Sequence, residues 1–344
     1  MKISRDLFVN CLEVTVAGLA KNEIQASSQS FIFNNGQIRT CSDSISISHP
    51  LPKELSKLNG AVRADELLGV LRKTKADEID VTIEEVELTV TTPKLKVWVK
   101  MEADVDPDSF PVVLPEKWLT VPEGLWDACS FCQHTCRKGT DKPHLTNVLV
   151  RGNHVYSSDN LRLTSMVFSK PCSKHDILVP AVIVSQIAQV RYTKIAMTEG
   201  WGHVKDEETG TVFSFRRMEV EYKDIEPFFE MEGVGISFPP DIVNAVARAE
   251  NVIDKGSPLP EVTIQIKSGI LYVSASGPYA RIKERFKMPA ASQDLQFMIN
   301  PEFLKDLITR VGLNGFKVSD KFLYGGGNGV RAVTGLILCP DVEE

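Results

Sequence analysis

The feature that most constrains this chain is repetition: the same helix and hairpin signals recur three times, 116–121 residues apart. Self-similarity at a fixed period is the mark of a tandem architecture and decides the fold before local propensities do. The first marker is an amphipathic helix. Leu7 and Cys11, with Phe8 and Leu12 beside them, sit at steps of three and four, as do Leu125, Cys129, Cys132 and Cys136, and Ile242, Ala245, Val246 and Ala249. That spacing puts each set on one helical face. The second marker is a hairpin tip, Asn35-Gly36, Gly152-Asn153 and Ser268-Gly269, each between strand-like runs. Such pairs supply the positive φ that a tight hairpin needs. The third is a shorter helix entered from a strand, starting near Ala64, Pro180 and Pro301, where Pro after Asn300 is a good start signal.

Each unit therefore reads helix, strands, helix, strands, and the fold class is α+β with antiparallel sheets. Pro and acidic residues gather at Asp106–Pro111 and Lys223–Pro227, which predicts domains over 1–113, 114–226 and 227–344. No Gly/Ser linker separates them, so the expectation is a rigid arc of packed domains. No apolar run reaches the ~20 residues of a membrane span, and the N-terminus is polar where a signal peptide needs an apolar stretch. The protein is expected in the cytoplasm, with no membrane partner, and its seven cysteines are expected as buried thiols.

The second repeat carries the sharpest local motifs: His144–Val150, then Ser158-Asp159-Asn160-Leu161-Arg162-Leu163, then Ile177-Leu178-Val179-Pro180. Together with Asp108-Ser109-Phe110-Pro111 before it, this series resembles the bacterial-type processivity clamp, the beta subunit of the replicative DNA polymerase. The likeness covers the whole chain as three tandem units, and the divergence outside the motifs is similar to that of a phage or mobile-element relative. The resemblance implies three clamp-type domains, each with two helices packed on antiparallel sheets. It also implies a homodimer closing head to tail into a six-domain ring around duplex DNA, a clamp loader to open it, a tethered replicative polymerase, no cofactor and no catalysis. A sliding protein holds no bases, since base contacts fix position; it needs diffuse positive potential facing the phosphates.

The charge distribution leans that way. The net charge is −6, but the six helical segments together carry +3 and the remainder −9. Lys21, Arg72, Lys73, Arg137, Lys138, Lys142, Arg191, Lys194, Arg248 and Arg310 are the candidate phosphate-facing residues. Helix ends favour Lys and Arg in any case, so the same residues also read as ordinary solvated charge. The resemblance further implies a pocket for a short apolar peptide, with Leu145, Ser158, Asn160, Leu161, Arg162, Leu163, Val333 and Leu336 as its residues. Arg162 would offer donors to the peptide, or would simply pair with Asp159. Gly335 stands where the family usually has Pro, and the acidic run to Glu344 lies beside the pocket in sequence.

Other chemistries fit less well. Cys129-x2-Cys132 with His134, Cys136, Cys172 and His175 invites a zinc site, but three of the cysteines share the predicted core stripe. Tyr324–Gly329 resembles a phosphate loop without its Gly-Lys-Ser/Thr ending, and reads as a mobile hairpin turn. The six histidines form no nucleophile or metalloprotease pattern. Two alternatives remain: a clamp-fold protein that sequesters replication factors without encircling DNA, and a zinc or thiol enzyme built on Cys129 and Cys132.

Overall fold

The structure, a computed structural model, describes every residue except 23–26, 85, 108–111, 140–141, 219, 255, 289–292 and 338–344. The Asp108–Pro111 motif and the acidic terminal run Cys339–Glu344 thus lie outside the described residues. Each repeat is one strand, a helix, four strands, a second helix and three strands. The first holds β1 (Lys2–Ser4), α1 (Arg5–Thr15), β2 (Ser30–Asn34), β3 (Gln37–Cys41), β4 (Ile45–Pro50), β5 (Gly60–Arg63), α2 (Ala64–Lys73), β6 (Glu78–Glu84), β7 (Glu87–Thr92) and β8 (Leu95–Lys100). The second holds β9 (Leu119–Thr120), α3 (Leu125–Cys132), β10 (Asn147–Arg151), β11 (His154–Ser158), β12 (Arg162–Val167), β13 (Ile177–Pro180), α4 (Ala181–Val190), β14 (Lys194–Thr198), β15 (Trp201–Lys205) and β16 (Val212–Arg216). The third holds β17 (Val234–Ile236), α5 (Ile242–Glu250), β18 (Val262–Lys267), β19 (Ile270–Ser276), β20 (Arg281–Lys287), β21 (Leu295–Ile299), α6 (Pro301–Val311), β22 (Phe316–Val318), β23 (Phe322–Gly327) and β24 (Val330–Gly335).

The first helices reveal the true register of the repeat. α1 buries Phe8, Cys11, Leu12 and Thr15; α3 buries Leu125, Ala128, Cys129 and Cys132; α5 buries Ile242, Ala245, Val246 and Ala249. Equivalent positions are 117 residues apart in both steps. The expected alignment on Leu7 is off by one residue, because Leu7 is 46% exposed and Phe8 fills the core position. Both residues satisfy a three-to-four spacing, and the sequence pattern alone does not separate them. The second helices start at Ala64, Ala181 and Pro301. Pro301 occupies the first turn, with Asn300 Oδ1 accepting from Glu302 N at 2.9 Å. Pro180 instead ends β13, so the two prolines are not equivalent.

Asn35 (φ 50°) with Gly36 (φ 71°), and Ser268 (φ 52°) with Gly269 (φ 73°), form the expected tips. The glycine-rich segment differs from expectation. Tyr324–Gly327 belong to β23, and only Asn328-Gly329 turns. The glycines serve close approach: a Cβ on Gly325 would lie 2.6 Å from Phe316 Cε1.

Packing divides the chain into two compact units, Met1–Val121 with Val182–Glu219, and Pro122–Ala181 with Val220–Glu344. The first unit contains a four-stranded sheet, β1-β6-β7-β8, and an eight-stranded sheet, β5-β2-β3-β4-β16-β15-β14-β9. Its largest buried cluster includes Phe8, Leu12, Phe31, Phe33, Leu67 and Leu71. The second unit contains β13-β10-β11-β12-β24-β23-β22-β17 and β20-β19-β18-β21. Strands of two repeats meet in each eight-stranded sheet, β4 with β16 and β12 with β24, both antiparallel. Among the described residues no helix is long and apolar enough to cross a membrane.

Candidate functional site

The turn from β11 to β12 builds one wall of a cavity in the second unit. Asp159 Oδ1 accepts from the amides of Leu161 and Arg162, both at 2.9 Å, and Ser158 Oγ accepts from Asn160 N at 3.0 Å. Short polar side chains thus replace the missing backbone partners of a tight turn, and Asn160 takes φ 81°. The turn presents Leu161 to solvent, 60% exposed. Arg162 is held from three sides. Its Nε donates to Asp159 Oδ2 at 2.9 Å, its Nη1 donates to Asp306 Oδ2 at 3.2 Å, and its guanidinium lies 4.5 Å over the Phe303 ring. The Arg162–Asp159 pairing is therefore present, and two of the five N–H donors of Arg162 are engaged with carboxylates.

The cavity has a volume of about 440 Å³ and is lined by Leu145, Ser158, Asn160, Leu161, Arg162, Leu163 and Val333. Seven of the eight pocket candidates thus come together. Leu336 does not: past Gly335 its amide turns to Lys321 O at 2.8 Å, and its side chain lines a separate depression with Phe297 and Val318. The floor is apolar, with Leu145, Leu163, Ile225 and Val333 buried, and Lys142, Lys223 and Asp224 also line it. Such a lining takes apolar side chains below and polar backbone above.

Sequence reasoning missed the opposite wall, which comes from Tyr222, Ile225 and Phe228 with Phe322. Apolar residues three apart in an otherwise acidic stretch were the available signal. Glu226 pins that wall to β24: it accepts from Arg331 Nη1 at 2.8 Å and Nη2 at 3.0 Å, and from the Tyr156 hydroxyl. The Arg331 hydrogen bond holds the Glu226 carboxyl below its usual range, while burial pushes the Tyr156 hydroxyl up. Beneath Arg162, Asp306 also receives Arg310 Nε at 2.7 Å and lies 3.0 Å from His134 Nε2. Burial alone would raise this carboxyl, but hydrogen bonds from His134 and Arg310 outweigh it and bring it down to about 2.

The phosphate-facing candidates are scattered in environment. Lys21, Lys73 and Lys138 are exposed, and Lys142 lies at the cavity. Arg72 makes a two-pronged pair with Glu13 at 2.7 and 2.9 Å, and Arg248 does so with Glu284, both at 2.7 Å. Arg310 lies 5.0 Å over Phe131 while bound to Asp306. α3 ends at Cys132, so Arg137 lies beyond it, half-buried, with Nη1 3.5 Å from Asp159 O. α4 ends at Val190; Arg191 takes φ 56° just past it, and Lys194 sits on β14, 3.4 Å from Glu207. Those two leave the expected helix because a residue at positive φ stops it.

The zinc candidates are dispersed in role. Cys129, Cys132 and Cys136 are buried free thiols, and burial pushes Cys136 up to about 12. His134 is engaged with Asp306, and the amide of His175 donates to Ser173 Oγ at 3.0 Å. Buried, high-pKa thiols are poor nucleophiles.

No family model matches the chain, and no curated protein matches it by sequence. Solved structures do. The DNA polymerase III subunit beta from Pseudomonas aeruginosa is 15% identical with a TM-score of 0.81, over 98% of this chain and 100% of that one. The beta subunit from DNA polymerase of Streptococcus pyogenes is also 15% identical, TM-score 0.81, over 98% and 99%. The DNA polymerase sliding clamp from Bacillus subtilis is 13% identical, TM-score 0.80, over 98% and 99%. The chain has the fold of the bacterial sliding clamps.

Proposed function

We propose that this protein is a DNA sliding clamp: a non-enzymatic homodimer that encircles duplex DNA without reading its sequence and tethers a polymerase through the cavity at Ser158–Leu163. The domains are 1–113, 114–226 and 227–344, a clamp loader opens the ring, and the protein works in the cytoplasm. The observation that carries this reading is a fold likeness spanning 98% of this chain and essentially all of the clamp chains. A partial likeness would be compatible with a borrowed domain; a full-length one retains every repeat a ring needs. The cavity supports the tether, since its apolar floor suits the side chains of a short peptide.

A second reading, a clamp-fold protein that captures replication factors without encircling DNA, is favoured by one observation. Arg72, Arg248 and Arg310 are each bound to carboxylates. Retention on nicked circular duplex separates the two. A clamp stays on the circle and runs off once the DNA is linearised; equal loss from both forms overturns encirclement. A strictly monomeric mass at micromolar concentration also counts against the ring.

A further inference from the structure

We propose that the cavity at Ser158–Leu163 selects a peptide with an acidic side chain among its apolar anchors, and that Lys142 and Lys223 make the selection. Such a selection rests on the cavity's role as a tether and adds a charge requirement to it. Lys142 and Lys223 both line the cavity, and both are exposed. Lys142 stands two residues before His144, and Lys223 directly follows Tyr222. The His144 and Tyr222 rings meet edge to face, with centroids 6.1 Å apart. The two lysines therefore mark the same end of the cavity, where the segment entering β10 meets the opposite wall. Among the described residues neither forms an ion pair.

The other charges at the cavity already have partners. Arg162 lies between two carboxylates, with Nε 2.9 Å from Asp159 Oδ2 and Nη1 3.2 Å from Asp306 Oδ2. Asp224, the carboxylate in the lining, turns Oδ1 to the amide of Glu226 at 3.2 Å. Two ammonium groups are left without a counter-charge at the rim of an apolar floor, in a chain of net charge −6. Lysine on an open surface ordinarily keeps its head group in water. A peptide seated on Leu145, Leu163 and Val333 displaces water beside these two, and charges attract more strongly where water is displaced. A carboxylate on the peptide then gains affinity, and a basic side chain at the same place is repelled. Lys142, a phosphate-facing candidate by sequence, thus finds its counter-charge on the peptide.

The full-length protein is titrated into three fluorescent peptides of about ten residues, blocked at both ends, and anisotropy is followed. All three carry the same two leucines and one phenylalanine, and they differ only in having two Asp, two Asn or two Lys residues among these anchors. One partly exposed ion pair changes affinity by up to about fivefold, so the Asp peptide should bind about fivefold tighter than the Asn peptide at ~50 mM salt, and the Lys peptide weakest. At ~1 M salt, where charges are screened beyond ~3 Å, the Asp advantage should fall below about twofold. K142Q/K223Q should bring the ratio of Asp to Asn affinities close to one. K142E/K223E should invert the order, so that the Lys peptide binds best, and circular dichroism checks the fold of both variants. Equal binding of the Asp and Asn peptides by wild type overturns the charge selection and leaves the tether standing. Equal weakening of all three peptides by the lysine variants also overturns it, since that is the mark of a structural role. Failure of every peptide to bind overturns the tether, and the selection with it.

Discussion

Asp306→Asn removes the charge at which side chains from three segments converge: Arg162 on the cavity wall, His134 after α3, and Arg310 on α6 itself. The fold holds this carboxyl at about 2 against its usual 3.8. A tenfold change in acid strength corresponds to about 1.4 kcal/mol, so ionised Asp306 contributes about 2 kcal/mol to folding. The sign follows from the lowered pKa. The stabilisation is complete above the unfolded pKa and disappears as pH falls through the folded value. Urea unfolding of wild type and Asp306→Asn, followed by the fluorescence of buried Trp126, should therefore differ by about 2 kcal/mol at pH 7. The gap should hold down to about pH 5 and narrow steadily toward pH 2. A difference below about 0.5 kcal/mol at pH 7, or one that stays constant from pH 7 to pH 3, would refute the view that Asp306 acts through its charge.

Three further outcomes are expected. Leu163→Ala empties part of the apolar cavity floor and should weaken binding of a polymerase tail peptide about tenfold by titration calorimetry, with unchanged affinity refuting the pocket assignment. His203 is fully buried between Thr198 Oγ1 at 2.7 Å and Ser214 Oγ at 2.8 Å, and burial lowers it to about 4. Its neutral form is favoured in the fold, so its contribution is present above pH 6.5 and lost as pH falls toward 4; His203→Gln should flatten the dependence of Tm on pH across that window. Gly325→Ala drives a methyl group into Phe316 and should cost about 1–3 kcal/mol in chemical denaturation, a neutral result showing that the ring can move aside.

The repeat and the element types were legible because both follow from periodicity. Helix spacing and positive-φ pairs survive even where only hydrophobic character recurs, as with Phe8, Leu125 and Ile242. The exact register was not, since Leu7 and Phe8 both fit the pattern and only packing distinguishes them. At the cavity, the Ser158–Leu163 wall was readable because one contiguous motif builds it. The facing wall needs Glu226, Arg331 and Tyr156 to meet across 70 and 105 positions of chain, and nothing local records such a meeting. The Asp159 partner of Arg162 was readable because it lies three residues away, whereas the second carboxylate, Asp306, is 144 residues away and leaves no local trace. The helix-end cations were harder still, since their pairing with Glu13, Glu284 or Asp306 depends on where other elements lie.

The strand pairs that join successive repeats alter what counts as a connection in this molecule. Between the second and third repeats the chain crosses once, through the segment that carries Tyr222 and Ile225. It is backed by the β12–β24 ladder from Arg162↔Thr334 to Met166↔Val330. The first and second repeats are joined in the same manner, by β4 against β16 from Ser48↔Val212 to Ile45↔Phe215. Each junction therefore has a covalent fastening and one made of backbone hydrogen bonds, and the second junction adds ion pairs such as Arg162–Asp306. A protease that cuts the crossing segment leaves the ladder in place, and a fluctuation that opens the ladder leaves the chain continuous. The repeats part only when the chain, the ladder and the side-chain contacts across the junction have all failed.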